Sequence, residues 1–457
     1  MTQTPQSSAV GEAWKSVRRA SGVPVDQEKR PQARPVTERI AEHVDNGLLR
    51  FLTCGSVDDG KSTVIGRLLL DTKSILADTL HSIERTSRRR GLDAVDLSLL
   101  TDGLEAEREQ GITIDVAYRY FSTGARKYII ADAPGHEQYT RNMVTAASTA
   151  HLALILVDAR KGVLTQTRRH STIAHLVGIP HLVIAVNKMD LVGWSADVFR
   201  RIQADYLAFA GTLGMRDVRF IPISALEGDM VVERGENLPW YHGPTLLEIL
   251  EASPAAHTET REKLRFPVQW VCRPHTLEHH DFRGFTGRVE SGEVAVGDEV
   301  QVLPSGQTSR VKEIRIGEDQ VGRAESEQSV LLVLEDEIDV SRGDVIVHPG
   351  EAPQVTRTVD ALVCWFAERP LSTTRRYLLR HATREARAQL AKIAWRLDVN
   401  TLAQAPSETL AMNDIGRITL KLARPIAADG YSENRATGAF ILVDEATNDT
   451  VGAGMIQ

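Results

Sequence analysis

The residues with the clearest chemistry form a glycine-rich loop near the beginning of the chain. The loop consists of Gly55, Ser56, Val57, Asp58, Asp59, Gly60, Lys61, Ser62 and Thr63. Two glycines followed by lysine and a hydroxyl residue, in this spacing, let backbone N–H groups approach phosphates. Lys61 supplies a positive charge to the phosphates and to the transition state, and the Ser62 hydroxyl can ligate Mg²⁺. We therefore predict a nucleotide phosphate site here.

A second candidate segment is an acidic turn that ends the apolar run 128–131. It consists of Asp132, Ala133, Pro134, Gly135 and His136. The Asp132 carboxylate can hold Mg²⁺ through a water molecule, and the Gly135 N–H can meet a γ-phosphate. Alone, the segment would be an ordinary turn. Its place behind a strand, about 70 residues after Ser62, predicts a functional role.

Two further segments contain the residue types that recognise a guanine base. They are Asn187-Lys188-Met189-Asp190 and Ser224-Ala225-Leu226. The Asp190 carboxylate can accept hydrogen bonds from guanine N1–H and from the exocyclic amine, a donor pair that adenine lacks. Asn187 can brace the loop, the Lys188 stem can cover the base, and a backbone N–H of the second segment can meet guanine O6. The chain is therefore predicted to bind GTP rather than ATP.

These four segments need elements that bring them together, and the apolar pattern predicts such elements. Apolar runs at 48–53, 128–131, 152–157, 182–186 and 218–223 alternate with helix-length stretches. Runs of this kind indicate a parallel sheet that is covered on both faces. Ligands of open α/β sheets bind at the carboxyl ends of the strands, where each candidate segment lies. We therefore predict one nucleotide site at one edge of the sheet.

After about Pro254 the pattern changes to short alternating runs separated by glycine-containing turns. Such a pattern is typical of a β-barrel or a β-sandwich. A second β-rich unit is predicted to begin near Val355. Residues 1–46, rich in Pro, Gln, Ser, Arg and Glu, are predicted to be a mostly disordered extension. The predicted domains are then 47–254, 255–354 and 355–457.

Composition and charge argue against several classes of protein. The chain has 457 residues and a formal net charge of −7, which gives no electrostatic reason to expect nucleic-acid binding. Its three cysteines are far apart, which favours a reducing cytoplasm over a disulfide framework. Its longest apolar runs are too short to span a bilayer, and its N-terminal region lacks the apolar stretch of a signal peptide.

With its motifs in this order, the first domain resembles the translation-factor-like GTPases. The segment Gly111-Ile112-Thr113-Ile114 is similar to their switch I segment. The resemblance implies that Thr113 closes over Mg²⁺ and the γ-phosphate, and that His136 orients the attacking water. The predicted metal ligands are therefore Ser62, Thr113 and Asp132. The alternative for His136 is a helix-capping or packing role.

Longer runs resemble the GTPase subunits of bacterial sulfate adenylyltransferase. These runs are Leu49–Thr63, Glu107–Phe121, Gly135–Met143, Asp158–Val163, Pro239–Tyr241, Asp281–Gly284, Asp336–Asp339, Ser341–Asp344 and Val451–Met455. The resemblance extends from about Leu48 to the end of the chain. Elongation factors that carry tRNA usually have histidine where Asp59 stands and arginine where Gln110 stands. An RNA-delivery factor is therefore the disfavoured alternative.

The resemblance implies a fold, a reaction and a partner. The fold would be an α/β P-loop GTPase domain followed by two β-barrel domains, as in elongation factor Tu. A smaller partner subunit would bind ATP and sulfate, and the pair would form adenosine 5′-phosphosulfate and pyrophosphate in sulfate assimilation and cysteine biosynthesis. GTP and Mg²⁺ would be the cofactors of a cytoplasmic heterodimer or higher assembly, with no nucleic acid and no membrane bound. A GTP-binding scaffold that hydrolyses poorly is a third interpretation, against which Thr113 and His136 argue.

Two features depart from the pattern of some relatives. The chain has no second phosphate-loop motif before Gln457, so the adenylylsulfate kinase activity that is fused to some relatives is expected to be absent. The residues His275, His279 and His280 could form a transition-metal site, but a solvated loop is the favoured interpretation.

Overall fold

The structure is a computed structural model. It describes residues 47–75, 77–89, 97–100, 115–136, 139–215, 217–254, 263–273, 282–398 and 401–457. The predicted extension 1–46, Gln110, the switch I segment Gly111–Ile114 with Thr113, and the loop with His275, His279 and His280 lie outside the described residues.

Two compact units divide the chain. The first unit includes Thr260–Pro353. The second unit comprises Asp45–Glu259 together with Gln354–Gln457. The first and last predicted domains therefore belong to one unit, which the sequence analysis did not anticipate. The predicted domain limits themselves remain predictions.

The second unit begins with an α/β sheet. Its strands are β1 (Leu48–Gly55), β2 (Ala117–Ser122), β3 (Lys127–Asp132), β4 (Leu152–Asp158), β5 (His181–Asn187) and β6 (Val218–Pro222). The strand order is β2-β3-β1-β4-β5-β6; β2 is antiparallel to β3, and the other neighbours are parallel. All seven residues of β4 are buried, and successive side chains of a strand point to opposite faces, so both faces of the sheet are covered. The five predicted apolar strands are confirmed.

Helices connect these strands. They are α1 (Lys61–Asp71), α2 (Ala77–Arg89), α3 (Thr140–Ala147), α4 (Thr165–Leu176), α5 (Ala196–Leu213) and α6 (Leu246–Ala252), with 3₁₀ helices at Leu97–Leu100 and Met189–Val192. In α1, Val64, Ile65 and Leu68 are fully buried at the spacing of one helical face. None of the helices in the described ranges is both long and apolar enough to cross a membrane.

The first unit contains a closed barrel. Its strands are β7 (Phe266–Cys272), β8 (Gly284–Arg288), β9 (Glu293–Ala295), β10 (Glu299–Leu303), β11 (Gln307–Ile316), β12 (Asp319–Val321), β13 (Arg323–Glu325), β14 (Ser329–Leu334) and β15 (Val345–Val347). The ring runs β10-β15-β7-β8-β14-β11 and closes because β11 also pairs with β10. Strand β12 extends from β11, and β9 pairs with β13. Alternate residues of these strands fill the interior, including Phe266, Val268, Val300 and Ile314.

A second closed barrel completes the second unit. Its elements are β16 (Gln354–Trp365), β17 (Arg376–His381), β18 (Arg384–Leu397), β19 (Gln404–Ala405), β20 (Ile415–Ala428), α7 (Arg435–Gly438), β21 (Ala439–Asp444) and β22 (Thr450–Ile456). The ring runs β17-β21-β22-β16-β20-β18 and closes through the pairing of β18 with β17. Both β-rich regions are therefore barrels, which selects between the two architectures that the strand pattern left open.

The C-terminal barrel packs against the α/β sheet domain within the second unit. Leu362, Cys364, Ile415 and Met455 belong to the same buried hydrophobic cluster as the sheet. The Tyr431 hydroxyl donates a hydrogen bond to the carbonyl of Val177, the C-cap residue of α4, at 2.7 Å. The two domains thus share a core, which stabilises each through the other.

Candidate guanine-nucleotide site

The four candidate segments lie at one edge of the six-stranded sheet. Gly55 is the last residue of β1, Asp132 of β3 and Asn187 of β5. Ser224 follows closely after β6, which ends at Pro222. Because these strands run parallel, their carboxyl ends meet at one edge, where ligands of such sheets bind.

The glycine-rich segment forms a tight loop between β1 and α1. The Ser56 N–H donates to the Asp59 carboxylate at 2.7 Å, and the Asp59 N–H donates to the Ser56 carbonyl at 3.2 Å. Burial raises the pKa of Asp59, against the opposing effects of that Ser56 hydrogen bond and of the Lys61 charge. Gly60 has a φ of 92°, and a Cβ there would lie 2.4 Å from Asn187 Nδ2, so only glycine fits. Helix α1 begins directly after Gly60. The backbone N–H groups of its first turn have no partners within the helix, so they suit a phosphate group.

The lysine of this loop contacts its own backbone. The Lys61 ammonium donates to the carbonyls of Gly55 at 3.0 Å and Ser56 at 3.2 Å, and the side chain is buried. Gly135 lies beside it, because a Cβ on Gly135 would be 2.7 Å from Lys61 Nζ and 2.6 Å from the Gly55 oxygen. Any side chain at Gly135 would collide there. The first and second candidate segments are therefore in contact.

Two residues outside the predicted segments hold the second segment in place. The Thr53 hydroxyl donates to the buried Asp132 carboxylate at 3.0 Å. The Gln166 side chain, in the first turn of α4, donates to the Gly135 carbonyl at 2.9 Å. Neither residue is among the site residues predicted from the sequence. No local signal in the sequence points to either residue, because the register of β1 and β3 sets Thr53 opposite Asp132 and the docking of α4 brings Gln166 to Gly135.

The predicted metal ligands offer oxygen atoms that suit Mg²⁺. Asp132 is buried at the end of β3, and Ser62 lies half-buried in the first turn of α1. In the part of the chain that the structure describes, no group of three or more His, Cys, Asp or Glu side chains could hold a metal ion. The hydroxyl of Ser62 and the carboxylate of Asp132 are hard oxygen donors of the kind that Mg²⁺ takes from proteins, together with waters and substrate phosphates. Thr113 lies outside the described residues.

His136 is exposed at the end of the second segment. Its ring centroid lies 6.2 Å from that of Tyr139. The N-cap residue of α3 is Tyr139, and no side chain caps that helix. The ring of His136 makes an edge contact with that of Tyr139, so the water-orienting role and the packing or capping alternative both stay predictions. The neighbouring Ala133 and Pro134 are buried.

Asn187 joins the base-recognition segments to the phosphate loop. Its side-chain amide donates to the Asp59 carbonyl at 2.8 Å, and its side-chain oxygen accepts the Ala225 N–H at 3.0 Å. Asp190 is half-buried, and its carboxylate accepts a hydrogen bond from the Ser224 hydroxyl at 2.7 Å. Met189 is fully buried beneath them. The geometry therefore contains the bracing that the residue types predicted.

Lys188 spans the two halves of the site. It adopts a left-handed backbone conformation with a φ of 63°, and its ammonium donates to the Asp58 carbonyl of the phosphate loop. The same ammonium lies 3.2 Å from the Asp158 carboxylate at the end of β4. Val57 and Asp58 are exposed on the outer side of the loop.

Arg67 supports the last segment from α1. Its guanidinium donates to the Ala225 carbonyl at 3.2 Å and to the Leu226 carbonyl. Leu226 itself is 57% exposed, so its side chain adds little to the core. The sequence analysis missed Arg67, because an arginine on an amphipathic helix has no local signal for such a contact.

Comparisons with known proteins agree with this geometry. Residues 46–255 match the family model described as elongation factor Tu GTP binding domain, and residues 358–457 match GTP-eEF1A C-terminal domain-like. "Sulfate adenylyltransferase subunit 1" of Cellvibrio japonicus is 54% identical, covering 93% of this chain and 89% of its own length. "Bifunctional enzyme CysN/CysC" of Mycobacterium tuberculosis is 53% identical, covering 90% of this chain and 67% of its own length.

A solved structure of sup35 complexed with GDP is 23% identical and covers 94% of this chain and 96% of its own, with a TM-score of 0.41. The identities above 50%, over nine-tenths of the chain, are decisive for the family. This chain belongs to the family of sulfate adenylyltransferase subunit 1, with a GTP-binding domain of the elongation factor Tu type.

Proposed function

We propose that this chain is the GTPase subunit of a heteromeric sulfate adenylyltransferase. The observation that carries the proposal is the convergence of all four candidate segments on one sheet edge in a chain of this family. A smaller partner subunit binds ATP and sulfate and carries out adenylyl transfer. The products are adenosine 5′-phosphosulfate and pyrophosphate, and the assembly is cytoplasmic.

GTP binds with its base against Asp190 and its phosphates in the loop 55–63. The hydrogen bond from Ser224 orients the Asp190 carboxylate, which supports its role as acceptor for the two guanine donors. Mg²⁺ supplies charge neutralisation at the phosphates, and Ser62, Thr113 and Asp132 would hold it, with Asp132 acting through water. Hard oxygen donors at all three positions fit this ion.

Hydrolysis of GTP requires positioning more than covalent chemistry. His136 orients the attacking water, which its exposure beside Gly135 supports. Gly135 offers its N–H to the γ-phosphate, and Lys61 neutralises charge that develops on the phosphates. By the family resemblance, Thr113 would close over Mg²⁺ and the γ-phosphate.

Coupling to sulfate activation follows from thermodynamics. Forming a phosphate–sulfate anhydride is so unfavourable that, with ATP cleavage to pyrophosphate alone, the equilibrium lies far toward the reactants. GTP hydrolysis can drive the reaction only if the two sites are coupled through conformations with different affinities. The segments around Thr113 and Gly135 respond to the γ-phosphate, so they are the start of that coupling.

An RNA-delivery factor is the competing function. The buried Asp59, in place of the histidine usual in tRNA carriers, and the net charge of −7 both disfavour it. The buried carboxylate also shapes the phosphate loop through Ser56, so Asp59 is part of the architecture of this site.

Steady-state GTP hydrolysis by this chain with its smaller subunit tests the proposal. We expect ATP plus sulfate to raise the rate and to yield adenosine 5′-phosphosulfate in step with GTP consumed. Omitting sulfate alone is the matched control. Hydrolysis that ignores ATP and sulfate, with a competent partner present, would overturn the sulfate function and leave the GTPase assignment standing.

A further inference from the structure

A fully buried carboxylate lies next to the base-recognition loop, which consists of Asn187–Asp190. This carboxylate has no role in the nucleotide site so far. Asp158 is the last residue of β4, and its side chain has no solvent exposure. Burial alone would raise the pKa of this carboxyl, but hydrogen bonds from Arg160 and Lys188 lower it below its usual value. Asp158 is therefore a buried anion, and a buried anion needs partners that stabilise its charge.

The two oxygens of this carboxylate have different partners. Oδ1 accepts hydrogen bonds from the Arg160 backbone N–H at 2.9 Å and from its Nε at 3.0 Å. Oδ2 accepts from Arg160 Nη2 at 2.6 Å and lies 3.2 Å from Lys188 Nζ. Oδ1 thus shapes the turn after β4, whereas Oδ2 connects that turn to the base-recognition loop.

The backbone connects the same two loops. In the parallel register of β4 and β5, Asp158 is paired with Asn187. The Ala159 N–H donates to the Asn187 carbonyl at 2.9 Å. Lys188, the next residue, is therefore fixed at its backbone by this pairing and at its ammonium by Asp158.

We propose that Asp158 is a positioning residue for guanine-nucleotide binding, which acts by holding Lys188 across the site. With its ammonium between Asp158 and the Asp58 carbonyl, the Lys188 stem lies extended between the phosphate loop and the base-recognition loop. A bound base then meets a preformed apolar surface. Without Asp158, the lysine would have to be ordered when the nucleotide binds, which weakens affinity and speeds release. The inference rests on the proposed binding of GTP.

The competing explanation is that Asp158 only stabilises the turn and the fold. Asp158→Asn separates the two roles, because the amide oxygen can still accept the Arg160 N–H while the amide nitrogen cannot accept from Lys188. Arg160→Ala is the matched control, because it removes the other cation and leaves the contact with Lys188. Asp158→Ser is a second version, whose hydroxyl can accept the Arg160 N–H but is too short to reach Lys188.

The experiment is a double-mutant cycle between Asp158→Asn and Lys188→Met, read as the dissociation rate of a fluorescent GDP analogue from the Mg²⁺-loaded full chain. We expect Asp158→Asn to speed release about tenfold, a usual effect for a lost hydrogen bond to a charged group. In the Lys188→Met background the same change should alter the rate less than about twofold, because its target is already absent. Arg160→Ala should also stay within about twofold of wild type.

Additive effects in the cycle, or a wild-type release rate in Asp158→Asn, would overturn the positioning role. If Asp158→Asn does not fold, Asp158→Ser takes its place in the same cycle with the same criteria. Wild-type protein that binds neither GTP nor GDP would overturn the proposed function and this inference together. Wild-type binding with an additive cycle would overturn this inference alone.

Discussion

At Asp190, the hydrogen bond from the Ser224 hydroxyl fixes the direction in which the carboxylate faces its ligand. A carboxylate only accepts hydrogen bonds, so it suits a base edge that only donates. An amide in the same place offers one acceptor and one donor group. We therefore expect base selection to depend on the polarity of this single side chain.

Asp190→Asn should weaken GTP binding at least about tenfold, since it removes an acceptor for a charge-assisted hydrogen bond. It should favour xanthosine triphosphate, because an amide N–H₂ can donate to the oxygen at C2 of that base. Calorimetric titration with both nucleotides measures the change, and Asp197→Asn, at an exposed aspartate of α5, is the control. Unchanged GTP affinity in Asp190→Asn would refute the assignment of this residue.

His136→Ala should slow hydrolysis about a hundredfold, the usual scale for a general acid–base or orienting group, and change GTP affinity less than about threefold. Its exposure means that its loss costs the fold little. Single-turnover hydrolysis and equilibrium binding separate the two effects, with the exposed His242→Ala as control. Equal losses in rate and affinity would indicate a structural role for His136.

Residue types and order along the chain were enough to predict the segments of this site. They could not predict Thr53, Gln166, Arg67 or Asp158, which act on those segments from elsewhere in the chain. Such supporting contacts depend on strand register and helix docking. A threonine or glutamine that makes one hydrogen bond across the fold looks, in the sequence, like any other polar residue.

Among the elements, α4 has contacts at both of its ends and a buried histidine between them. Gln166 contacts Gly135 in its first turn, and its C-cap residue Val177 contacts Tyr431 of the C-terminal barrel. His170, in the middle, is 3% exposed. Burial, with the nearby positive charges of Lys61 and Arg169, lowers the pKa of His170 to about 3.

This shift makes stability depend on pH in a defined direction. Because the folded pKa of His170 is below its ordinary value of 6.5, the unfolded chain takes up the proton first as the pH falls. Stability from the neutral ring is therefore complete above about pH 6.5 and is lost progressively toward pH 3. Between pH 7.5 and 5.5, His170 should contribute a loss of about 1.4 kcal/mol in the free energy of unfolding.

Urea unfolding of wild type and His170→Gln across that interval measures the contribution. The variant should be less stable at pH 7.5, because the substitution replaces a buried side chain. Glutamine does not titrate, so the variant should lose about 1.4 kcal/mol less than wild type on acidification. His175 and His381, whose pKa values burial also lowers, are present in both proteins and cancel in the difference. Parallel pH curves for the two proteins would contradict the prediction.

Elements with local signals were predictable from the residue pattern, whereas the closed barrels were predictable only from the family resemblance, which is confirmed. The five apolar runs predicted as strands are strands of the sheet, and helices lie in the stretches between them. Closure depends on the pairing of β11 with β10 and of β18 with β17, which join strands into rings. Short alternating strands fit a sandwich equally well, so only pairing or family resemblance could decide.

For the whole molecule, the distribution of buried clusters predicts how it unfolds. The C-terminal barrel has an interior cluster of its own, but its residues Leu362, Cys364, Ile415 and Met455 also belong to the cluster of the α/β sheet, whereas the cluster of the middle barrel shares no described residue with the sheet. Separate cores are expected to unfold as separate cooperative units. The sequence treats the three domains alike, because neither shared nor separate burial is visible in their apolar patterns.

Differential scanning calorimetry should therefore show two transitions, one for residues 263–353 and one for the remainder of the described chain. A ligand stabilises only the unit that binds it. GDP with Mg²⁺ at 100 times its Kd should therefore stabilise the unit with the α/β sheet by about 2.7 kcal/mol and raise the temperature of its transition. The transition of residues 263–353 should stay in place. Asp190→Asn with the same nucleotide is the control. A single transition that shifts as a whole would show that the units unfold together.

The contact of Lys61 with the carbonyls of Gly55 and Ser56 has a consequence for competition by inorganic ions. To bind Lys61, a lone sulfate or phosphate ion would have to displace both carbonyls from its ammonium. Such an ion would not reach the base-recognition residues Lys188 and Asp190. A guanine nucleotide bound as proposed would displace the same two carbonyls but would also gain contacts with Asp190 and Lys188. We therefore expect the loop to discriminate against small free anions, so that a cell rich in sulfate does not inhibit the subunit that responds to GTP.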